Sequence, residues 1–244
     1  DCLLSRGLGD VYKRQLQLHA GFTLDDARAQ LPYYAALGVS HLYLSPITQA
    51  RAGSTHGYDV IDHGRVNSDL GGEAALHRLA AAARAQGLGL IADIVPNHMA
   101  AHVSNGWWFD VLRHGERSAY SRHFDIDWRA PDPALRGKVL LPVLPEPYGA
   151  CLESGGMALT HDTRSGYAIT VAGQRYPVAQ APQDDGVSPA QVCAAHAANT
   201  PQGRQRLHHL LERQHYRLAW WTTAPDQINS VSYTHLTLPT SDLV

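Results

Sequence analysis

Residues 88–95 read Leu-Gly-Leu-Ile-Ala-Asp-Ile-Val. A near-continuous apolar run of this length predicts a parallel strand, at about 88–94, covered on both faces. A parallel strand cannot follow its neighbour through a hairpin; it needs a crossover, usually a helix. The upstream sequence supplies one. Glu73–Gln86 carries an Ala/Leu face at helical spacing and is followed by Gly87, a residue suited to the left-handed turn after a helix. Before it, His41–Pro46 (HLYLSP) reads as a buried strand. Earlier still, Thr23–Leu37 reads as a helix with Leu24, Ala27, Leu31, Tyr34 and Ala35 on one face. Thr23 and Asp26 form a capping-box start, and Pro32 interrupts the run. Leu16–His19 (LQLH) is a short alternating strand.

Strand–helix–strand–helix–strand defines βαβ units and an α/β chain. Two architectures compete, a doubly wound sheet and a (β/α)8 barrel. Gly87 and Gly89 stand at the start of the strand, whereas a dinucleotide-binding turn needs its glycines after the strand, at the helix start. Polar residues gather instead just after strand ends: His19, Ser45, Asp93, Asn97 and His98. In a barrel that is the catalytic face. The expected architecture is the N-terminal part of a (β/α)8 TIM barrel, about three strands, with an inserted irregular subdomain. The barrel units occupy 16–98. From 99 to 202 the rhythm lapses into a stretch rich in proline and glycine, with tryptophans at 107, 108 and 128. It returns over 203–229, where Leu207, Leu210, Leu211, Gln214, Leu218 and Trp221 predict a helix at 204–221, preceding barrel strand four. Residues 1–15 and 230–244 have no pattern that joins them to the rest. Both read as foreign tails of vector or adapter origin.

Charge and composition exclude several classes of function. A formal charge of −2, without a basic stripe, argues against a nucleic-acid partner. No apolar run reaches the roughly 18 residues of a membrane helix, and no signal peptide is legible. Cys2, Cys151 and Cys193 are too few and too scattered for a disulfide framework, which fits a reducing, cytoplasmic compartment. His208 and His209 are adjacent on a predicted helix and point to different sides. His56, His63, His98 and His102 lack zinc spacing. No metal and no cofactor are expected, and the oligomeric state is left open.

Asp93–Met99 (DIVPNHM) is the strongest candidate site. One strand delivers Asp93 at its end, then Asn97 and His98 into the loop beyond. An isolated Asp or His is more often a cap or a satisfied polar residue; three leaving one strand end together favour a site. Gly53–His63 (GSTHGYDVIDH) is the second. Gly57 permits close backbone approach, Tyr58 offers a flat apolar face with a polar tip, and His56 and Asp59 offer polar groups. Sugars are recognised by that mixture, although a Gly-rich loop packing its Tyr on a barrel rim would read the same way. Trp107, Trp108, Phe109, Tyr120, Phe124, Trp128 and Tyr148 are expected mostly to fill the core of the insertion, with a minority facing a glycan.

These stretches resemble a known family. DIVPNH (Asp93–His98) is similar to the first signature region of the alpha-amylase superfamily of glycoside hydrolases. HGYDV (His56–Val60) resembles the loop that carries its sugar-stacking tyrosine. LQLHAGFTLDDA, LYLSPI, GSTHGYDV, FDIDW, KVLLPVLPEPYG and LLERQHYRLAWW narrow the resemblance to the maltooligosyl trehalose synthases, over nearly all of 16–229. The resemblance implies an isomerase of trehalose biosynthesis. The reducing-end α-1,4 bond of a maltooligosaccharide becomes an α,α-1,1 bond by intramolecular transglycosylation through a retaining carboxylate pair. It implies that His98 hydrogen-bonds the glucosyl unit, Asn97 orients the loop, Tyr58 stacks on the sugar and Asp59 lies beside it. His56 and Asp93 give support.

The departures matter as well. The superfamily's nucleophile, acid and second aspartate belong to strands four, five and seven, expected beyond residue 229. Arg14 and Gln15 stand where the family has a tyrosine and an arginine. No Gly-x-Arg-x-Asp pattern occurs, and Asp125, Asp127 and Glu146 lie in the insertion and are not read as catalysts. The chain by itself is therefore expected to be inactive. A non-catalytic, amylase-like glycan-binding domain and another glucan hydrolase of the superfamily are the alternatives. A metal-dependent hydrolase barrel is disfavoured by the absence of a paired-histidine motif on strand one.

Overall fold

The structure is a computed structural model that describes residues 12–182, 186–223 and 228–231. The chain divides into two compact units, one running to Ala100 and the other starting at Ala101.

The first unit contains β1 (Lys13–Leu16), α1 (Leu24–Ala29), α2 (Leu31–Ala36), β2 (His41–Leu44), β3 (Thr48–Ala50), β4 (Val60–Val66), α3 (Gly72–Ala85) and β5 (Gly89–Ala92). Strands β1, β2 and β5 form one parallel sheet with β2 in the centre. Gln15, Tyr43 and Ile91 are in register, as are Leu16, Leu44 and Ala92. Side chains alternate between the two faces of a strand. One face therefore carries Leu16, Leu42 and Leu44, which are buried with Leu24, Leu31 and Leu79 of the helices. The other carries Gln15, Tyr43 and Ile91, and it is at most half-buried.

The segment expected at Thr23–Leu37 is two helices. Pro32 has no N–H to donate and its ring crowds the preceding turn. The first helix accordingly stops at Ala29, and Pro32 sits in the first turn of the second. Both α2 and α3 end in the same way. Gly38 and Gly87 adopt positive φ, and the residues after them, Val39 and Leu88, donate N–H back to Tyr34 and Ala83. These glycines set the points where helix gives way to strand.

The capping box at Thr23 is complete. The Thr23 N–H and hydroxyl donate to Asp26 Oδ2 at 2.8 and 2.7 Å, and Thr23 Oγ1 accepts from the Asp26 N–H at 3.3 Å. Thr23→Ala should lower stability by about 1 kcal/mol. Urea unfolding measures this, and a midpoint equal to that of the wild type would contradict it.

Two boundaries differ from the sequence reading. The first strand is Lys13–Leu16 rather than Leu16–His19, so Lys13, Arg14 and Gln15 pair with β2. Backbone pairing with β2 does not require apolar side chains, and three of the four residues are exposed, so no periodicity marks the strand. Of the two ends, 1–11 and 232–244 lie outside the described residues, while Ser230 and Val231 pair with a strand of the second unit. Strand β5 is an outer strand of its sheet. Its apolar residues Leu90 and Ile91 are only half-buried, and Ile94 just beyond it is 64% exposed.

The second unit contains α4 (Gly106–His114), β6 (Asp125–Ile126), β7 (Val139–Leu144), α5 (Tyr148–Glu153), β8 (Met157–Asp162), β9 (Gly166–Val171), β10 (Gln174–Pro177), α6 (Pro189–Ala195), α7 (Pro201–Glu212), β11 (Tyr216–Trp220) and β12 (Ser230–Val231). Strands β8, β9 and β10 form an antiparallel meander, β7 pairs with β11 in parallel, and β6 pairs with β12. Trp108, Phe124, Leu112, Leu144, Ile169 and Tyr216 are buried in its core. Trp107, Tyr120, Trp128 and Tyr148 pack against that core half-exposed.

The helix expected at 204–221 ends at Glu212, and Tyr216–Trp220 is a strand. Leu207, Leu210 and Leu211 form the buried helical face. Gln214 and Leu218 fall on the same spacing by coincidence, because Tyr216 and Leu218 alternate inward as strand residues do. The Gln214 amide closes the helix by donating to Leu210 O at 2.6 Å, while its oxygen accepts from the Ala179 N–H at 2.8 Å.

Candidate functional site

The parallel strands bring the two motifs together. Asp93 directly follows β5, and its N–H extends the ladder to Leu44 O at 2.9 Å. It shares a face with Ile91, and through register with Tyr43. The loop 51–59 lies over this strand end. Tyr58 donates its hydroxyl to Asp93 Oδ2 at 2.5 Å. That hydrogen bond, followed by partial burial, raises the phenol above its ordinary pKa. The Tyr43 phenol is also raised, by burial first and then by the Asp93 charge.

His98 completes the cluster. Its Nε2 is 3.0 Å from the Tyr58 carbonyl oxygen and its Nδ1 is 3.0 Å from Asn97 Oδ1, an amide whose oxygen and nitrogen are interchangeable by a flip. A carbonyl can only accept, so Nε2 carries a proton. In the neutral ring Nδ1 must then accept, which the Asn97 amide satisfies when its NH2 group faces the ring. His98 is half-buried, Asn97 is exposed and Tyr58 is 40% exposed, so the cluster is open to solvent. Tyr58, Asp93, Asn97 and His98 therefore converge at one end of the strands.

The loop holds Tyr58 by a dense local network. Gly57 adopts φ +80°, and a Cβ there would lie 2.5 Å from Pro46 O. The Gly57 N–H donates to Ser54 Oγ at 3.1 Å, and the Ser54 hydroxyl donates to Asp59 Oδ1. Asp59 thus faces its own loop through Ser54. His56 stacks on Tyr58 with centroids 6.0 Å apart, and its Nδ1 accepts the Tyr58 N–H at 3.0 Å. A nitrogen that accepts carries no proton, so the 3.9 Å approach of His56 Nδ1 to Asp59 is not a charged pair.

Sequence reasoning missed three residues near this site. Tyr43 was legible only as part of a buried strand; its signal is the two-residue periodicity that aligns it with Asp93. Ser54 carried no signal. His63, on β4, has Nε2 shielded and without a hydrogen-bond partner, and burial pushes its imidazole pKa down, with His98 adding to the effect and Asp62 opposing it.

A cavity of about 820 Å³ lies in the second unit, and none of the clustered residues lines it. Asp125, Asp127, Asp132 and Arg217 are among its walls. Asp127 and Asp132 each spend an oxygen on a local turn, accepting from Arg129 and Ala134 N–H groups. Glu146 accepts from the Ser154 hydroxyl. Asp127, Asp132 and Glu146 thus each have a local hydrogen-bond partner. Among the described residues no group of three or more His, Cys, Asp or Glu could hold a metal ion, and no helix is long and apolar enough to cross a membrane.

The same segments are found in known proteins. The profile of the alpha-amylase catalytic domain matches residues 21–146, which includes both site motifs. A protein of Mycobacterium tuberculosis that bears the name of a candidate maltooligosyl trehalose synthase is 42% identical over 203 residues, 82% of this chain and 22% of its own length. A crystal structure of a maltooligosyl trehalose synthase superposes with a TM-score of 0.72 at 34% identity, covering 88% of this chain and 26% of the other. The maltooligosyltrehalose synthase of Arthrobacter ramosus gives a TM-score of 0.72 at 34% identity, covering 92% of this chain and 26% of the other. The chain thus spans about a quarter or less of the length of these relatives, and the family match implies a TIM-barrel-type fold. On the profile match and the long alignments together, this chain belongs to the alpha-amylase catalytic-domain family.

Proposed function

We propose that this chain is the N-terminal segment of a maltooligosyl trehalose synthase, an enzyme that turns the reducing-end α-1,4 bond of a maltooligosaccharide into an α,α-1,1 bond. The observation that carries the reading is the convergence of Tyr58, Asp93, Asn97 and His98 at the C-terminal end of parallel strands, in a family that acts on carbohydrates. A ring face with hydrogen-bonding groups at its edge suits a glucosyl unit. Tyr58 supplies the face and His98 the edge, with Asn97 fixing the ring of His98. Asp93, Asp59 and His56 hold Tyr58 and its loop.

The reaction class needs a retaining pair of carboxyl groups about 5–5.5 Å apart, one as nucleophile and one as acid. The cleaved glucose must then remain in the site, turn over and attack through its anomeric hydroxyl, so exclusion of water decides isomerisation over hydrolysis. In this reading the residues of this chain bind and orient the glucosyl unit. The nucleophile and acid come from strands four and five, and the second aspartate from strand seven, beyond residue 229. The chain alone converts no maltooligosaccharide. The substrate calls for no metal or cofactor among these residues, and the compartment is the cytoplasm.

Incubation of the full-length protein and of this chain with maltohexaose tests the proposal. The full-length protein should remove reducing ends without releasing glucose, and the chain alone should do nothing. Release of glucose and shorter maltooligosaccharides would make the protein a hydrolase. Binding without turnover by the full-length protein would make it a glycan-binding relative.

A further inference from the structure

We propose that Gln17 is a further positioning residue of this site: its amide pins the far side of the loop that carries Tyr58, and so sets the ring face offered to a glucosyl unit. The inference rests on the sugar-site reading above and deepens it. Gln17 directly follows β1 and is exposed, between Leu16 and Leu18, which are buried. Ser45, buried just beyond β2, grips the backbone on both sides of it. The Ser45 N–H donates to Leu16 O at 3.0 Å, and Ser45 Oγ accepts the Leu18 N–H at 2.8 Å. The Gln17 side chain therefore leaves the sheet from a fixed point. Its Nε2 donates to the Thr55 carbonyl oxygen at 3.1 Å. A carbonyl can only accept, so the NH2 group is the end of the amide that faces it.

The segment from Thr55 to Tyr58 transmits this constraint. Asp93 holds the Tyr58 hydroxyl and His98 holds its carbonyl. These fix the two ends of the residue, but the ring can still turn about the line between them. His56 backs one face of that ring, and its Nδ1 accepts the Tyr58 N–H. Gln17, through Thr55, holds the backbone from which His56 projects. Without that donor the Tyr58 ring stays tethered at its tip and loses the fixed support behind it. A stacking contact then weakens while no reacting group is touched, which is a loss of binding and not of chemistry.

The test uses two variants of the full-length protein. Gln17→Met keeps the side-chain length and removes the donor. It should raise KM for maltohexaose about two- to tenfold with kcat nearly unchanged. Gln17→Glu sets a carboxylate against the Thr55 carbonyl. Its KM, relative to wild type at the same pH, should fall as the pH drops from about 7.5 to about 5, because the protonated carboxyl regains an O–H donor for that carbonyl. The Gln17→Met ratio should stay flat. Hydrogen exchange gives a readout that needs no turnover. The Gly57 and Tyr58 amides, both hydrogen-bonded inside the loop, should exchange about threefold faster or more in Gln17→Met, while those of α3 keep wild-type rates. An unchanged KM, a Gln17→Glu ratio that ignores pH, unchanged loop exchange, or faster exchange throughout α3 would each overturn the proposal. If the wild type converts no maltohexaose while the loop amides still loosen, the functional reading fails and the tether stands.

Discussion

Alanine at position 57 should dismantle the loop that carries Tyr58. Gly57 is held at φ +80°, a region that costs an L-residue about 1–2 kcal/mol. The added methyl would also lie 2.5 Å from Pro46 O, which is backbone and cannot swing aside as a side chain would. Relief requires the loop to move, and the Gly57 N–H is one of the bonds that fix it, through Ser54 and then Asp59. Tyr58 is the next residue. Gly57→Ala should therefore destabilise the folded state by roughly 2–4 kcal/mol and displace the Tyr58 ring. Urea unfolding and maltohexaose kinetics of the full-length variant measure the two effects. A stability loss below about 1 kcal/mol with normal KM would show that the loop tolerates the methyl group.

His98→Ala should be the most damaging side-chain change for activity. His98 Nε2–H is paired with the Tyr58 carbonyl, and under the proposed function a substrate would take over that donor. A donor that becomes fully engaged only as charge shifts on the glucosyl unit lowers the barrier more than it strengthens binding. Loss of such a group from a preorganised site typically costs about 10²- to 10³-fold in kcat. The full-length His98→Ala variant should fall by that order in kcat/KM for maltohexaose while retaining its melting temperature. Unchanged turnover would remove His98 from the chemistry.

The central strand and its helices were legible because several local signals agree. The capping box at Thr23, the glycines after α2 and α3, and the apolar strands each point to the same βαβ units. DIVPNHM was legible because three polar residues follow one apolar strand. Other features were hidden for physical reasons. Lys13–Gln15 join the sheet through backbone bonds that leave no trace in side-chain pattern. At 213–221, a short strand and a continuing helix place apolar residues at nearly the same positions. Tyr43 looks like core in a strand of alternating apolar residues, and only register with β5 reveals its neighbour. The work of Asp59 within its own loop depends on Ser54, a contact that no residue spacing announces.

A crystal structure of the full-length protein with bound maltohexaose tests most directly whether this cluster is the sugar site. The expected result is a glucosyl ring lying on the face of Tyr58, with a sugar hydroxyl about 3 Å from His98 Nε2 and the Tyr58 hydroxyl still on Asp93. A ligand seated instead in the cavity walled by Asp125, Asp127, Asp132 and Arg217, with the Tyr58 face empty, would contradict it.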